Sequence, residues 1–227
     1  MLNLKIKDIY IGCEKEYKRK NKTYKSSYEK EPIFNSTYVN ILGLEDDMQS
    51  DKQSHGGQDK ALCIFTQGSY DFFKEKYNIA LSTCALGENI TLFDCEDKDF
   101  CIGDRFSCGE AIFEITQPRE PCWKISHILG IKELTALIAK EGRTGFYLRV
   151  IKEGEINKND EFKLVSRKHE NMNIEFVNKC YYNTKENQEN IKDILECEEL
   201  SSSYKKALEK RYKNKEHGLE NYQKDKE

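Results

Sequence analysis

The sequence predicts a mainly β domain with two helices at residues 1–167, followed by a small all-α domain of three helices at residues 168–227. Two observations predict this division. Up to residue 166, short apolar segments alternate with polar positions, which is the period of a half-buried strand. After residue 166, apolar residues recur at every third or fourth position, which is the period of an amphipathic helix. The length of 227 residues suits one medium domain with a smaller one attached, because a domain averages roughly 150 residues.

The β domain begins with a predicted strand at residues 3–11, where apolar and polar side chains alternate. Residues 14–31 show no period, and residues 1–30 carry nine Lys or Arg against four Asp or Glu. We expect a solvated loop there, and the alternative is an arm that brings a lysine to an anionic ligand. Further strands are predicted at residues 37–43 and 61–65.

A helix is predicted at residues 67–78, because Tyr70, Phe73 and Tyr77 fall on one helical face and Ser69 suits the N-terminal cap. The other elements of this domain are a strand at 87–92, a hairpin at 100–117 with a turn at Gly103-Asp104, a helix at 131–141, and strands at 146–153 and 161–165. The helices of the second domain are predicted at residues 169–182, 187–199 and 201–217.

The composition indicates a folded protein with nearly balanced charge. Hydrophobic residues make up 37% of the chain, charged residues 34% and aromatic residues 11%, with a net charge of −3. The aromatic content and the low net charge argue against disorder, and the balance of charges argues against general nucleic-acid binding. The sequence contains no apolar run of about 18 residues and no apolar signal-peptide core. We therefore expect a protein that binds neither membranes nor nucleic acids.

The nine cysteines predict reduced thiols rather than a disulfide scaffold. Their number is odd, no Cys-x-x-Cys pair occurs, and the chain is longer than small secreted scaffolds. Most of the cysteines lie beside apolar residues, as small buried hydrophobic residues do. This pattern favours a cytoplasmic location.

The strongest local motif is Gln117-Pro118-Arg119-Glu120-Pro121-Cys122-Trp123-Lys124, called the cysteine loop below. Two prolines after a strand keep the backbone extended and stiff, which limits the directions of the Cys122 side chain. Arg119 and Lys124 are near in sequence, and nearby cations lower the pKa of a thiol. A thiolate is both a nucleophile and a ligand for soft metals. The residues alone support a reactive cysteine and an incidental cysteine equally.

The second motif is Ser54-His55-Gly56-Gly57-Gln58-Asp59-Lys60. Gly56 and Gly57 let the backbone approach a ligand or adopt positive φ, and successive N–H groups in such a turn can hold an anion. His55 suits a ligand, a general acid or a hydrogen-bond donor, and a plain turn with a surface histidine is equally supported. Asn89 follows Gly87-Glu88 before a strand, where a structural turn is favoured. The spacing of potential ligands shows no tetrahedral zinc set.

Five motifs occur in this order: Gly43-Leu44-Glu45-Asp46-Asp47-Met48-Gln49, His55-Gly56-Gly57-Gln58-Asp59-Lys60-Ala61, Gly87-Glu88-Asn89, Gly103-Asp104 and the cysteine loop. Together they resemble the MOSC domain, which takes its name from the C-terminal domain of molybdenum cofactor sulfurases. The resemblance is greatest to the YiiM-like branch, in which a MOSC β-barrel precedes a small three-helix domain. It covers nearly the whole chain.

The resemblance implies a closed β-barrel with a pocket for the molybdenum cofactor, a pterin dithiolene that carries a phosphate. It implies that Cys122 is the molybdenum ligand or carries a persulfide. His55 is the expected proton donor, because the pKa of histidine lies near neutral pH. The expected cofactor-binding residues are Lys30, Gly56, Gly57, Asn89, Arg119 and Arg149.

Members of the branch are associated with reduction of N-hydroxylated compounds, such as 6-hydroxylaminopurine, so an N-hydroxylated small molecule is the expected substrate. The chain has no flavin, haem or iron–sulfur signature, so a separate reductase is expected to supply electrons. The family also has an association with pyridoxal phosphate binding. Two alternatives remain: a carrier of sulfur or cofactor without turnover, and a binding module for an anionic ligand.

Two residues depart from the family pattern. Asp46 stands where glycine is usual, and aspartate tolerates the left-handed conformation better than most residues. Gln58 replaces a common proline after the glycine pair. Neither change affects Cys122, so the expected function is retained.

Overall fold

The computed structural model describes residues 2–50 and 56–224. The strands are β1 Asn3–Gly12, β2 Lys15–Arg19, β3 Lys22–Ser26, β4 Lys30–Pro32, β5 Thr37–Asn40, β6 Gly43–Leu44, β7 Leu62–Thr66, β8 Ile90–Leu92, β9 Arg105–Cys108, β10 Ala111–Pro118, β11 Phe146–Lys152, β12 Gly154–Ile156 and β13 Glu161–Ser166. The α-helices are α1 Gln67–Tyr77, α2 Trp123–Leu129, α3 Leu134–Glu141, α4 Ile174–Tyr182, α5 Gln188–Glu196 and α6 Ser202–Asn214. Short 3₁₀ segments cover Gln58–Lys60, Asp97–Asp99 and Asn221–Gln223.

Seven strands form a closed barrel in the order β13–β9–β10–β11–β7–β8–β1, and the pairing of β1 with β13 closes it. Neighbouring strands are antiparallel except β7 and β8, which are parallel and are joined through α1. Phe106, Phe113, Phe146 and Phe162 are fully buried, and the rings of Phe106 and Phe162 stack at 4.5 Å between centroids. These buried side chains fill the inside of the barrel, which leaves its edge for a ligand site.

The three C-terminal helices pack directly on the barrel. Ile174, Val177, Ile194 and Leu208 belong to the same continuous hydrophobic core as the barrel residues. The N–H of Ser201 donates to the Thr116 carbonyl at 3.0 Å, and its hydroxyl donates to Gln117 Oε1 at 2.5 Å. The helical domain thus holds the end of β10, from which the cysteine loop starts. The predicted mainly β barrel followed by three helices is confirmed.

The expectation of a solvated loop at residues 14–31 is wrong, because this segment forms the β2–β3 hairpin and the start of β4. The rings of Tyr17 and Tyr24 stack at 5.5 Å, and Tyr24 meets the Trp123 ring edge-on at 5.2 Å. Cross-strand aromatic pairs stabilise a two-stranded hairpin, which charge counting does not detect.

Three local predictions also need correction. Thr66, not Ser69, caps α1, since its hydroxyl accepts the Ser69 N–H at 3.3 Å. The turn at Gly103-Asp104 precedes the hairpin, and Gly109-Glu110 joins its strands β9 and β10. Helix α2, which begins directly after Cys122, was not predicted. Among the described residues, no helix has both the length and the apolar character needed to cross a membrane.

Candidate functional site

The cysteine loop borders a cavity of about 100 Å³ at the edge of the barrel. Cys63 of β7, Tyr147 of β11 and Lys30 of β4 line it, together with segments before β4, after β6 and before β8. The charged lining residues are Lys30, Asp47, Lys60, Arg119 and Lys124. Among the described residues that line the cavity, four cations against one carboxylate favour binding of an anion.

Cys122 lies where the extended cysteine loop becomes α2. The Arg119 N–H donates to the Gly145 carbonyl at 2.9 Å, which holds the loop against the start of β11. Cys122 has an extended backbone, with φ −109° and ψ 163°, and its carbonyl accepts the Thr135 hydroxyl at 3.1 Å. The residue lines the cavity and is 9% exposed. The expected stiff loop therefore presents a largely buried cysteine to the cavity.

Arg119 places a buried cation beside this cysteine. The residue is 7% exposed, and its Nη1 atom has no hydrogen-bond partner among the described residues. Burial alone would lower the pKa of the guanidinium, but the interactions with Cys63, Tyr147, Tyr28 and Cys122 raise it above the usual value. A buried charge with an unused donor is costly, so the site is suited to an anionic ligand that accepts this hydrogen bond.

The carboxylate of Asp47 joins Lys30 and Asn89 at the cavity wall. Asp47 Oδ1 accepts from Lys30 Nζ and, at 2.8 Å, from the Gly12 N–H. Its Oδ2 accepts from Asn89 Nδ2 at 2.9 Å, and Asn89 Oδ1 accepts the Cys63 N–H at 3.0 Å. Lys30 is therefore neutralised by Asp47, and Asn89 fixes two cavity walls. The neighbouring Asp46 has φ 66°. Aspartate therefore adopts the left-handed conformation at this position, where the family usually has glycine.

Cys63 is a second cavity cysteine that sequence reasoning missed. It is 6% exposed, and burial raises the pKa of its thiol. Alternation along β7 is the signal that would have found it. Leu62 and Ile64 face the barrel core, so Cys63 lies on the opposite face together with Phe65.

Four of the sequence-predicted site residues meet at this cavity: Lys30, Asn89, Arg119 and Cys122. His55 lies outside the described residues, so its role stays a prediction. Gly56 and Gly57 do not line the cavity. Gly57 instead starts the Gln58–Lys60 segment with φ 95°, and its carbonyl accepts the Lys60 N–H at 2.9 Å. The glycine turn thus places the backbone of Lys60, and the roles of Gly56 and Gly57 in cofactor binding stay predictions.

The expectation that Arg149 holds the cofactor is not supported by its position. Its guanidinium lies 2.8 Å from Asp59 Oδ1 and 3.3 Å from Glu114 Oε1, and it donates to the Glu199 carbonyl at 3.1 Å. Arg149 is not among the residues that line the cavity. Two carboxylates outside the cavity already neutralise this side chain, so its binding to the cofactor stays an untested prediction.

Comparison with known proteins bears on both parts of the chain. The MOSC domain model matches residues 51–163, and the model of the YiiM-like three-α-helix domain matches residues 174–213. YflK of Bacillus subtilis (strain 168) is 32% identical over 203 residues, which cover 89% of this chain and 92% of YflK. The crystal structure of YiiM from Geobacillus stearothermophilus has 28% identity and a TM-score of 0.76, covering 92% of this chain and 99% of that one. The chain belongs to the YiiM-like MOSC proteins.

MOSC domains are associated with molybdenum cofactor binding as a family. A match over a shorter part of the chain is a protein named "Reductase" from Gibberella moniliformis (strain M3125 / FGSC 7600). It is 28% identical over 144 residues, which cover 60% of this chain and 24% of the fungal protein.

The helical domain of this MOSC protein holds the cysteine loop through Glu120. Glu120 Oε1 accepts hydrogen bonds from the hydroxyls of Tyr181 in α4 and Tyr222 in the C-terminal 3₁₀ segment, each at 2.9 Å. On the other side, Lys60 Nζ lies 4.0 Å from Glu120 Oε2. Burial and the charge of Glu120 together raise the pKa of both phenols, which keeps them protonated as donors.

Replacing both Tyr181 and Tyr222 by phenylalanine is expected to loosen the cysteine loop, because Glu120 loses two donors. We expect unfolding free energy to fall by about 1–2 kcal/mol and Cys122 to react several-fold faster with iodoacetamide. Peptide mapping by mass spectrometry separates Cys122 from the other cysteines. Tyr38→Phe, an exposed tyrosine of β5, is the control. If Cys122 reacts with iodoacetamide at the wild-type rate in the double variant, the two tyrosines do not hold the cysteine loop in place.

Glu88 next to the MOSC cavity predicts a pH effect on stability. Its Oε1 accepts from the hydroxyls of Tyr70 and Thr91, while Oε2 has no partner among the described residues. Burial raises the pKa of this carboxyl above 4.5. The unfolded chain therefore loses the proton first as pH rises, and the stability present below pH 4.5 is lost as pH passes the folded-state pKa.

Glu88→Gln is expected to flatten this pH dependence and to raise stability at pH 7 by about 1.4 kcal/mol per unit of pKa shift. Urea unfolding from pH 4.5 to pH 8 measures the effect. Glu161→Gln changes an exposed carboxylate and serves as the control. If unfolding free energy depends on pH in the same way in the wild type and in Glu88→Gln, burial of the charged Glu88 carboxylate does not lower stability.

Proposed function

We propose that this protein binds the molybdenum cofactor in the MOSC cavity, with Cys122 as a metal ligand, and reduces N-hydroxylated small molecules. The observation that carries the proposal is that Cys122 shares one cationic cavity with the buried Arg119, whose Nη1 atom has no hydrogen-bond partner among the described residues. A thiolate is a soft ligand of the kind that sulfur-bound metals take. A guanidinium pairs well with phosphate and other anions.

The residues present fit this group. Arg119, Lys60 and Lys124 would hold the anionic part of the cofactor, whereas Lys30 is neutralised by Asp47 and shapes the wall. A bound cofactor would supply the two electrons needed to reduce the N–OH group. The reduction also consumes two protons, forms N–H and releases water.

Proton supply and substrate orientation fall to the chain itself. Tyr147 lines the cavity, and burial raises the pKa of its phenol, so the hydroxyl stays protonated and donates a hydrogen bond to the substrate oxygen. His55 remains the predicted proton donor. A separate reductase is the proposed electron source. The name of the fungal relative supports reductive chemistry.

A turnover assay tests the proposal. Holoprotein from a host that makes the cofactor is given an N-hydroxylated purine and a reduced viologen dye, and formation of the amino product is measured. We expect turnover in the wild type and none in Cys122→Ala. Molybdenum on the protein without turnover, or a persulfide on Cys122 seen by mass spectrometry, would instead favour the carrier function. The comparisons give no support to pyridoxal phosphate, and the cytoplasmic location and the absence of nucleic-acid or membrane partners stay predictions.

A further inference from the structure

A second group of metal-ligating side chains lies where the barrel meets the helical domain. His169 follows β13, and Cys197 and Glu199 follow α5. The three side chains each offer one donor atom, and these atoms all lie within 4.8 Å of one another. Cys197 and Glu199 are buried, at 4% and 7% exposure. This group is separate from the MOSC cavity.

The distances within the group approach those of a tetrahedral zinc site. Glu199 Oε2 lies 2.8 Å from His169 Nε2 and 3.7 Å from Cys197 Sγ. Zinc–ligand bonds of about 2.0–2.3 Å place neighbouring ligand atoms roughly 3.3–3.8 Å apart. The sulfur–oxygen distance already fits, and the nitrogen–oxygen distance has to open by about half an ångström.

The surroundings hold these side chains in place. Glu199 Oε1 accepts from Lys168, which leaves Oε2 facing the histidine and the cysteine. Second-sphere donors of this kind orient carboxylate ligands. Behind the group, Gly103 has φ 80°, and a Cβ atom there would lie 3.0 Å from Glu199 Cγ and 3.2 Å from His169 Cδ2. The fold thus leaves space at Gly103 for the two ligands.

A cavity of about 310 Å³ opens beside the group and gives access from solvent. Its lining includes the further carboxylates Asp193, Glu196 and Glu198. They lower the local potential, which favours a divalent cation, and a water or one of these oxygens can complete the coordination.

We propose that His169, Cys197 and Glu199 bind Zn²⁺, with a fourth position open to water. The Cys197 thiol proton is released to solvent as the Zn–S bond forms. The metal joins the exit of β13 to the segment between α5 and α6. That segment also holds the barrel, because the Glu199 carbonyl accepts from Arg149 and Ser201 bonds to β10. The proposed site does not depend on the function of Cys122.

The test uses full-length protein with both cavity cysteines replaced, Cys63→Ala and Cys122→Ala, and stripped with chelator, so that the MOSC cavity contributes no thiol. Calorimetric titration with ZnCl₂ should give one site per chain, and zinc should raise Tm by mass action. Co²⁺ in place of zinc should give a thiolate-to-cobalt absorption band. Cys197→Ser should remove this band and weaken zinc binding about 100-fold or more.

His169→Gln provides a second, conservative variant, and His217→Gln and Cys101→Ser are the controls outside the group. Retention of both affinity and the cobalt band in Cys197→Ser and His169→Gln would overturn the proposal. Absence of zinc binding and of any Tm shift in the parent protein would overturn it too. The group would then be a hydrogen-bonded cluster of Lys168, His169 and Glu199 without a metal.

Discussion

Replacing Cys122 by alanine is expected to remove molybdenum from the protein. Cys122 lines the cationic MOSC cavity, and the extended loop between Pro118 and α2 fixes its position. Loss of a metal–sulfur bond leaves the remaining cavity contacts to hold the cofactor by charge alone. In a host that makes the cofactor, elemental mass spectrometry should find nearly one molybdenum per wild-type chain and less than about a tenth of that in Cys122→Ala.

The fold should survive this substitution. The side chain is small and lies at a cavity wall, so the unfolding free energy should fall by about 1 kcal/mol or less. Cys13→Ala, at an exposed cysteine, controls for thiol removal and should keep its molybdenum. Cys63→Ala tests the second cysteine of the same cavity. Full molybdenum content in Cys122→Ala together with loss of molybdenum in Cys63→Ala would show that Cys63, and not Cys122, is the metal ligand.

Arg119→Met is expected to weaken cofactor binding without lowering the stability of the protein. The guanidinium is buried, and its Nη1 atom has no partner among the described residues, so the protein without ligand bears a desolvation cost. Methionine fills a similar volume without that charge, and the backbone bond to Gly145 remains. Unfolding free energy should stay the same or rise by about 1 kcal/mol, while cofactor affinity falls roughly 10- to 100-fold with the loss of charge-assisted hydrogen bonds.

Molybdenum content and the urea midpoint of the cofactor-free protein measure the two effects. Arg149→Met is the matched control, because this guanidinium pairs with Asp59 and Glu114 outside the cavity. It should show the reverse pattern, with lower stability and retained molybdenum. If Arg119→Met keeps its molybdenum and loses several kcal/mol of stability, Arg119 is a structural residue and the cavity assignment fails.

The sequence alone predicted the division into a β-rich domain and three helices, because strand and helix periods are local properties of the chain. It also identified the cysteine loop, since two prolines and a cysteine within five positions restrict the backbone whatever packs around them. Cys122 was predicted from its motif, and Lys30, Asn89 and Arg119 from the family resemblance; all four meet at one cavity. The helix after Cys122 was not predicted, because Pro118 and Pro121 favour extended backbone just before it.

Only the tertiary structure decided which charges remain available to a ligand. Closure of the barrel brings Asp59 and Glu114 to Arg149 and Asp47 to Lys30, but leaves Arg119 Nη1 without a hydrogen-bond partner in the part of the chain that the structure describes. The three proposed zinc ligands are likewise up to 30 positions apart in the chain and meet only because the helical domain folds back on the barrel. Neutralisation and metal coordination both depend on distances between segments remote in sequence, and no local pattern contains those distances.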